Sequence, residues 1–146
     1  MVNFFMEIIK TTINHLEAVY ELVCELESKN LNKNDFSQIY RDNINNDNIY
    51  YLVAVDESGI IGFASLHIQK LLHHCGKVGE IQEIIISKNQ QGTGVGTALF
   101  NRIKETAVLN NCVLLEVCCN KIREKSHWFY IKQGMKKSHY KFVLNL

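Results

Sequence analysis

The sequence predicts an α/β fold whose mixed, mostly antiparallel sheet is flanked by helices. Residues 50–68 contain two apolar runs joined through Gly59, and a tight hairpin of this kind requires antiparallel strands. Residues 79–119 have the pattern strand, glycine-rich turn, helix and strand, and such a crossover requires a parallel pair. No repeat, linker or low-complexity tract interrupts the pattern, so residues 1–146 are expected to form a single domain.

The other elements follow from the spacing of apolar residues and from capping residues. Leu16, Val19 and Val23 are spaced as on one face of a helix, for which Thr12 or Asn14 is the candidate cap. Before the hairpin, the sequence predicts a strand at 4–9, the helix that contains Leu16, Val19 and Val23, and a short helix at 36–44. After the hairpin, it predicts a strand at 79–87, a helix ending near 110, a strand at 112–119, a helix that Gly134 terminates and a last strand at 138–146.

Composition restricts the classes of partner and the compartment. The net charge of +1 argues against a nucleic-acid partner and against electrostatic attachment to a membrane. No window approaches the ~18 consecutive apolar residues of a membrane span, and the first ten residues lack the pattern of a signal peptide. The five cysteines form no Cys-x-x-Cys pair, so we expect reduced cysteines in a cytoplasmic protein.

Three glycines within five residues, Gly92, Gly94 and Gly96, separate a predicted strand from a predicted helix. Bare backbone N–H groups and the helix dipole favour an anion at such a junction. A nucleotide P-loop would need a lysine where Thr97 follows Gly96, and a dinucleotide fingerprint would need a third glycine where Leu99 or Thr97 stands. Spacing alone therefore leaves another kind of phosphate cradle or a flexible surface turn.

The loop and its surroundings resemble the GNAT superfamily of N-acetyltransferases. Residues 91–96, QGTGVG, match the (Gln/Arg)-x-x-Gly-x-(Gly/Ala) loop that binds the pyrophosphate of coenzyme A in that family. Residues 129–135, FYIKQGM, are similar to its Phe-Tyr-x-x-x-Gly-Phe signature, with Met135 in place of the last aromatic residue. The order of elements also resembles the GNAT fold, which implies a sheet splayed between the fourth and fifth strands.

A narrower resemblance covers roughly the second half of the chain. The tracts LHIQKLLHHCGKVGEIQEIIIS and REKSHWFYIKQGMKKSHYKF resemble bacterial aminoalkylphosphonate N-acetyltransferases. Ser126 departs from that group, which usually has alanine there, and the first 60 residues match it less distinctively. Since much of the substrate contact in this fold comes from the first part of the chain, the resemblance specifies the acceptor less well than the donor.

The resemblance implies that acetyl-CoA is the cosubstrate, and it indicates which residues would bind the pyrophosphate, the pantetheine arm and the thioester. Backbone amides of the glycine loop would bind the pyrophosphate, and the end of the fourth strand would pair with the amide-rich pantetheine arm. A backbone N–H of that strand would polarise the thioester carbonyl. The candidate cofactor-binding residues are Ile84, Ile85, Ile86, Gln91, Gly92, Thr93, Gly94, Val95, Gly96, Thr97, Asn120 and Arg123.

Two side chains are the catalytic candidates by family position. Glu80 would be the general base, acting directly or through water, and Tyr130 would protonate the departing thiolate. Glu83 is the second candidate for the base, or it would orient the substrate or the loop, because strand alternation places it opposite Glu80 unless a β-bulge intervenes. Alternatively, these residues have no catalytic role: both glutamates are then solvated residues of the strand, and Tyr130 is an aromatic residue of the core.

The histidines are the remaining candidates for acceptor binding. His67, His73, His74 and His139 could hold a phosphonate or, together with a carboxylate, a divalent metal ion. Each could equally be a surface or packing residue. Further candidates for the phosphonate are Arg41, Lys70 and Lys77.

The sequence thus predicts an acetyl-CoA-dependent N-acetyltransferase acting on a small primary amine, with an aminoalkylphosphonate as the favoured acceptor. Another amine remains open, such as a polyamine, an amino sugar, an amino acid or a protein N-terminus. A coenzyme-A-binding regulatory module without turnover is the alternative outside the enzymes. A homodimer is expected because dimers are common in the family that the chain resembles.

Overall fold

The protein is described by a computed structural model that covers residues 5–146. Five strands follow one another in sheet order β1 to β5, antiparallel except for the parallel pair β4–β5. The strands are β1 (Glu7–Lys10), β2 (Ile49–Asp56), β3 (Gly59–Leu71), β4 (Gly76–Ile86) and β5 (Cys112–Val117). The predicted mixed sheet, its hairpin at Gly59 and its single parallel crossover are therefore confirmed.

Four helices flank the sheet. They are α1 (Leu16–Glu27), α2 (Lys33–Ile44), α3 (Val95–Leu109) and α4 (Glu124–Lys132). Thr12 caps a short 3₁₀ turn that leads into α1, and the Asn32 side chain accepts a hydrogen bond from Asp35 N at 3.0 Å to start α2. None of the helices within residues 5–146 has both the length and the apolar composition that crossing a bilayer would require.

The sheet separates two apolar clusters. On one face, α3 and α4 cover a cluster that includes Leu66, Ile81, Leu99 and Ile103. On the other face, α1 and α2 pack on strands β2 to β4 around residues such as Phe63. Continuous burial on both faces explains why the central strands are nearly uninterrupted apolar runs.

Two irregularities of β4 shape the site. Ser65 pairs with Glu83 but Leu66 pairs with Ile81, so Gln82 is an extra residue, a β-bulge. The parallel ladder with β5 ends at Ile81, and residues 83–86 of β4 pair with β3 alone. The sheet is thus splayed between the fourth and fifth strands, as the resemblance implied.

Several predicted boundaries are corrected. The first strand begins at Glu7, and residue 4 lies outside the described residues. The second helix begins three residues earlier than expected and the fifth strand ends two residues earlier, at Val117. The last strand, predicted at 138–146, is wrong for this single chain: residues 135–146 have no regular secondary structure. An alternating apolar pattern forms a strand only where it can pair with a sheet edge, and this segment forms no ladder with the described sheet.

The packing of α3 can be tested with two leucines of the same helix. Leu99 is completely buried, whereas Leu109 is 81% exposed. Leu99→Ala is expected to lower the free energy of unfolding by ~2–5 kcal/mol, because it removes buried methyl groups and leaves a cavity. Leu109→Ala is expected to change it by less than ~0.5 kcal/mol. Urea denaturation of both variants measures this; equal losses would contradict the assigned face of α3.

Candidate active site

The splayed part of β4 leaves a strand edge open. Beyond Ile81, β4 has no partner on the β5 side among the described residues, so backbone groups on that edge can pair with a ligand. Ile84 and Ile86 pack toward the α3 face, and Ile85 packs toward the α1–α2 face. All three predicted pantetheine contacts therefore lie on the open segment, where their backbone and not their side chains would meet the arm.

The glycine loop leads from the open strand into α3. Gly92 and Gly94 have φ of 78° and 93°, the left-handed region that favours glycine, and a Cβ at either would meet no atom within 4 Å. The first helical hydrogen bond runs from Ala98 N to Gly94 O at 3.0 Å. The N–H groups of the preceding first turn, at residues 95–97, therefore precede the helical ladder and face the open space next to the loop.

Gly96 has a different role from the other two glycines. A Cβ there would lie 3.4 Å from the Phe129 ring and 3.7 Å from Ile86. Its missing side chain therefore lets α4 pack against the start of α3, whereas the expectation was that all three glycines admit phosphate. Thr97 is tied to the same region, because its hydroxyl accepts a hydrogen bond from Gln133 Nε2 at 3.3 Å.

The loop has the geometry of an anion site. Gln91 and Thr93 are exposed beside the two open glycines, and buried Val95 anchors the helix below them. Convergent N–H groups and the positive end of a 15-residue helix favour negative charge at this point. A pyrophosphate fits this arrangement because its oxygens need several donors at close range.

The bulge places two carboxylates on the same face. Glu80 pairs with His67 and Glu83 pairs with Ser65, and these two β3 residues are two apart. Without the bulge at Gln82, regular strand alternation would have placed the two glutamates on opposite faces. The alternative that the sequence left open, a bulge that reverses the alternation, is therefore the one observed.

A cavity of about 280 Å³ lies beside Glu83, between α1, α2 and the sheet. Aromatic side chains form much of its wall: Phe36, Tyr40, Tyr51 and Phe63. Within the described chain its lining includes two acidic residues, Glu27 and Glu83, and no basic one. The cavity is therefore suited to a cationic or neutral amine with an apolar surface.

Glu83 is held in a specific position and has an altered acidity. Ser65 Oγ donates a hydrogen bond to Glu83 Oε2 and accepts one from Glu83 N at 3.0 Å. Burial raises the pKa of the Glu83 carboxyl, and the Glu27 carboxylate adds to the increase, while the Ser65 hydrogen bond and His67 oppose it. A raised pKa makes this carboxylate a better proton acceptor than an exposed glutamate.

Tyr130 is buried in α4 against the α3 face of the sheet. Burial raises its pKa far above the usual range, Cys119 adds to this and Arg123 opposes it. The phenol is protonated at neutral pH, as an ordinary tyrosine also is, and the raised pKa makes it a weaker acid than an exposed tyrosine. Met135 packs on the same apolar cluster. It therefore supplies an apolar side chain where the Phe-Tyr-x-x-x-Gly-Phe signature has its last aromatic residue.

Arg123 and Asn120 make contacts within the protein. Arg123 Nη2 donates to Leu26 O at 2.8 Å and lies 3.8 Å from Glu27 Oε1. Asn120 Oδ1 accepts a hydrogen bond from Ile122 N at 3.1 Å. Arg123 therefore joins the start of α4 to the last turn of α1, next to the cavity; a contact of either residue with coenzyme A stays a prediction.

The predicted histidines lie in three separate places. His67 is on the glutamate face of β3, His73 and His74 contact each other with tilted rings in the turn after β3, and His139 contacts Ser138 in the C-terminal segment. Within residues 5–146 no three histidine, cysteine or carboxylate side chains form a group that could hold a metal ion. The suggested metal site therefore gains no support from the positions of these side chains.

The three basic candidates are also dispersed. Lys70 and Lys77 are register partners near the ends of β3 and β4, and Arg41 is exposed on α2. None of the three lines the cavity.

Sequence reasoning missed the cavity and its acidic pair. Ser65 is a fully buried polar residue in the apolar run GFASLHI, which is a signal that a polar partner lies opposite. Glu27 carried no such signal, because its place beside Glu83 depends on how α1 packs across the sheet.

An open strand edge, a helix start suited to an anion, a partly buried glutamate and a buried tyrosine are features that an acyltransferase using a thioester of a phosphorylated, amide-rich carrier requires. A sequence model of the acetyltransferase (GNAT) family matches residues 16–135. The chain belongs to this family, so it is an N-acetyltransferase whose acetyl donor is acetyl-CoA.

Relatives and solved structures agree with this assignment. The chain is 32% identical to an aminoalkylphosphonate N-acetyltransferase of Salmonella typhimurium, over 94% of this chain and 89% of that protein. It is 31% identical to a glucosamine 6-phosphate N-acetyltransferase of Candida albicans, over 73% of this chain and 71% of that protein. The solved structure of an aminoglycoside N-acetyltransferase in complex with CoA has the same fold, with a TM-score of 0.88, 16% identity, and coverage of 99% of this chain and 96% of that chain.

The glycine loop can be tested with a matched pair of glycines. Gly94 and Gly59 both have positive φ and open space at the Cβ position, but only Gly94 adjoins the start of α3. Gly94→Val is expected to raise the KM for acetyl-CoA at least ~10-fold, because the side chain occupies the space of the pyrophosphate. Gly59→Val carries a comparable backbone strain, about 1–2 kcal/mol, and should leave that KM unchanged. Steady-state kinetics of both variants measures the difference, and equal KM values would contradict the loop assignment.

Proposed function

We propose that the protein transfers the acetyl group of acetyl-CoA to the primary amine of a small molecule by direct attack. The observation that carries this proposal is the position of Glu83, which belongs to the open segment of β4 and also lines the cavity. A thioester bound along the open edge and an amine bound in the cavity would meet at this residue.

The proposed reaction needs three proton transfers at the reacting groups. A carboxylate removes a proton from the bound ammonium group, and the amine lone pair then attacks the thioester carbonyl carbon. The carbon–sulfur bond breaks as the tetrahedral intermediate collapses, and the departing thiolate takes the proton of Tyr130. The attacking nitrogen loses its second proton to solvent to give the neutral amide, and the Tyr130 phenolate is reprotonated from solvent. A backbone N–H of the open β4 segment would stabilise the oxyanion.

We infer that Glu83 is the base, in place of Glu80. Glu83 lines the cavity and has a raised pKa, whereas Glu80 is absent from the lining and lies beside Cys118, the residue that follows β5. Glu80 is near the point where the two strands separate, and a role in positioning the thioester follows from that place.

An aminoalkylphosphonate is the first candidate for the acceptor. Its support is the Salmonella relative, and the Candida relative is named for another substrate that joins an amine to a phosphorus oxyanion. His67 lies on the glutamate face and would be the nearest predicted cation for such a head group. The cytoplasmic location stays a prediction from the cysteine composition.

The cavity favours a second candidate, an amine with an apolar body and no anionic group. Glu27 and Glu83 would attract an ammonium group and repel a dianion in the same cavity. A phosphonate would therefore have to point out of the cavity, toward the end of β3.

A thiol-release assay with acetyl-CoA tests the function and separates the two acceptor classes. The amines are aminomethylphosphonate, 2-aminoethylphosphonate, glucosamine 6-phosphate and, as apolar matches, ethylamine and phenethylamine, each with divalent metal and with chelator. Turnover of the phosphorus-containing amines alone supports the first candidate, and turnover of the apolar amines alone supports the second. Coenzyme A binding without release of thiol from any amine would contradict the proposal and favour a regulatory module.

The base is tested by the pH dependence of kcat/KM. The carboxylate is the active form, so activity is expected to fall as pH decreases through the raised pKa of Glu83, above the range of an ordinary glutamate. Glu83→Gln should lower kcat at least ~100-fold and abolish this fall in activity at low pH. Glu80→Gln is the matched control and should keep the fall. If the fall is lost in Glu80→Gln alone, Glu80 and not Glu83 is the base.

The acid is tested by Tyr130→Phe, which keeps the packing and removes the hydroxyl. A fall in kcat of ~10–100-fold with little change in the KM for acetyl-CoA is expected, because only the departure of the thiolate is affected. Phe129→Leu, which alters the neighbouring ring, serves as the packing control. An unchanged kcat in Tyr130→Phe would make Tyr130 a core residue only.

A further inference from the structure

Ser65 is a completely buried polar residue in the middle of β3. Its neighbours Ala64 and Leu66 belong to the apolar cluster under α3, so strand alternation places Ser65 on the other face, toward α1, α2 and the cavity. A hydroxyl buried without partners is unfavourable, and this one has two hydrogen bonds. Both of them go to a single residue, Glu83.

The Ser65 hydroxyl contacts the strand next to its bulge. Ser65 pairs with Glu83, and the next register pair is Leu66 with Ile81, so the register shifts directly after Ser65. A bulge disrupts the ladder locally, and here the N–H of Glu83 donates to the Ser65 Oγ at 3.0 Å. The same oxygen donates its proton to Oε2 of the Glu83 carboxylate. One hydroxyl therefore holds both the backbone at the bulge and one end of the carboxylate.

The two carboxylate oxygens of Glu83 have different surroundings. Oε2 is bound by Ser65, whereas Oε1 accepts no hydrogen bond from residues 5–146. In that range the one buried side-chain oxygen or nitrogen without a partner is Thr11 Oγ1, so Oε1 is not buried. Because Glu83 lines the cavity, Oε1 is the oxygen that an amine in the cavity can reach.

We propose that Ser65 is a positioning residue for the reaction: its hydroxyl fixes Oε2 of Glu83 and the backbone at the bulge, and leaves Oε1 to take the proton of the acceptor's ammonium group. The inference rests on the proposed role of Glu83 as the base. Ser65 keeps its own proton throughout, and Oε1 later releases to solvent the proton that it took. Alanine would serve the packing of β3 at this position, so the hydroxyl is the part of Ser65 that acts on Glu83.

The titratable groups around Glu83 come from every element that packs on its side of the sheet. They are His67 of β3, Tyr51 of β2, Tyr40 of α2 and Glu27 of α1, which lies 3.8 Å from Arg123 of α4. Glu27 raises the pKa of Glu83 and His67 lowers it, and both remain when Ser65 is changed. Loss of the Ser65 hydroxyl takes a donor from the charged carboxylate, so the pKa of Glu83 is expected to rise further.

The pH dependence of kcat/KM in Ser65→Ala tests the proposal. The fall in activity at low pH is expected to move about one pH unit higher, because the protonated, inactive carboxyl persists to higher pH without the hydrogen bond. At high pH, kcat should fall roughly 3–10-fold, with the KM for acetyl-CoA unchanged. Ala64→Gly, equally buried on the opposite face of β3, is the control for lost stability and should not move the fall. An unmoved fall in Ser65→Ala, or an equal shift in Ala64→Gly, would overturn the proposal.

A combined variant tests whether Ser65 acts through Glu83. In the Glu83→Gln background, Ser65→Ala is expected to lower kcat no further, because the carboxylate that it positions is already absent. An equal loss of kcat in both backgrounds would make Ser65 a residue of the fold only.

NMR titration of the Glu83 carboxyl needs no turnover, so it separates this inference from the proposed function. The midpoint in Ser65→Ala is expected about one pH unit above that of the unaltered protein. Hydrogen exchange of the Glu83 amide should be faster, because the N–H loses its acceptor. If no amine releases thiol but the midpoint still moves, the proposed reaction is wrong and the positioning of Glu83 by Ser65 is supported. Equal midpoints in the two proteins would overturn the inference whatever their activity.

Discussion

Parallel pairing between β4 and β5 ends at Ile81, and the extra residue of the bulge, Gln82, follows at once. The rest of the site depends on this pair of events within one strand. The end of pairing opens a backbone edge for the acetyl donor. The bulge turns Glu83 toward the same face as Glu80, so a buried carboxylate lines a cavity that reaches the opened strand.

In the proposed reaction the two faces of the sheet would serve the two substrates. The glycine loop and Tyr130 belong to the α3–α4 side, and the cavity belongs to the α1–α2 side. Arg123 connects the sides, because it lies near Tyr130 and hydrogen-bonds the last turn of α1 beside Glu27. The proposed acid, Tyr130, and the proposed base, Glu83, would then lie on opposite sides of the opening where acetyl transfer takes place.

Local signals in the sequence predicted the parts of the structure that local rules determine. Glycines at a strand–helix junction predicted the loop at Gly94, and the hairpin and crossover predicted the strand directions. The bulge at Gln82 could be named only as an alternative, because the sequence does not show where a ladder shifts. The acidic cavity and the contact of Arg123 depend on long-range packing, and the segment predicted as a strand at 138–146 forms no ladder with the described sheet.

Hydrogen exchange with and without coenzyme A tests the central claim, that the opened edge of β4 and the first turn of α3 bind the donor together. When coenzyme A binds, slower exchange is expected at residues 95–97 and at those residues of the segment 82–86 whose N–H groups do not bind β3, because these N–H groups gain acceptors. Residues 77–81, already paired with β5, are the internal reference and should not change. Protection of the first turn of α3 without protection of residues 82–86, or no protection of either, would contradict the account.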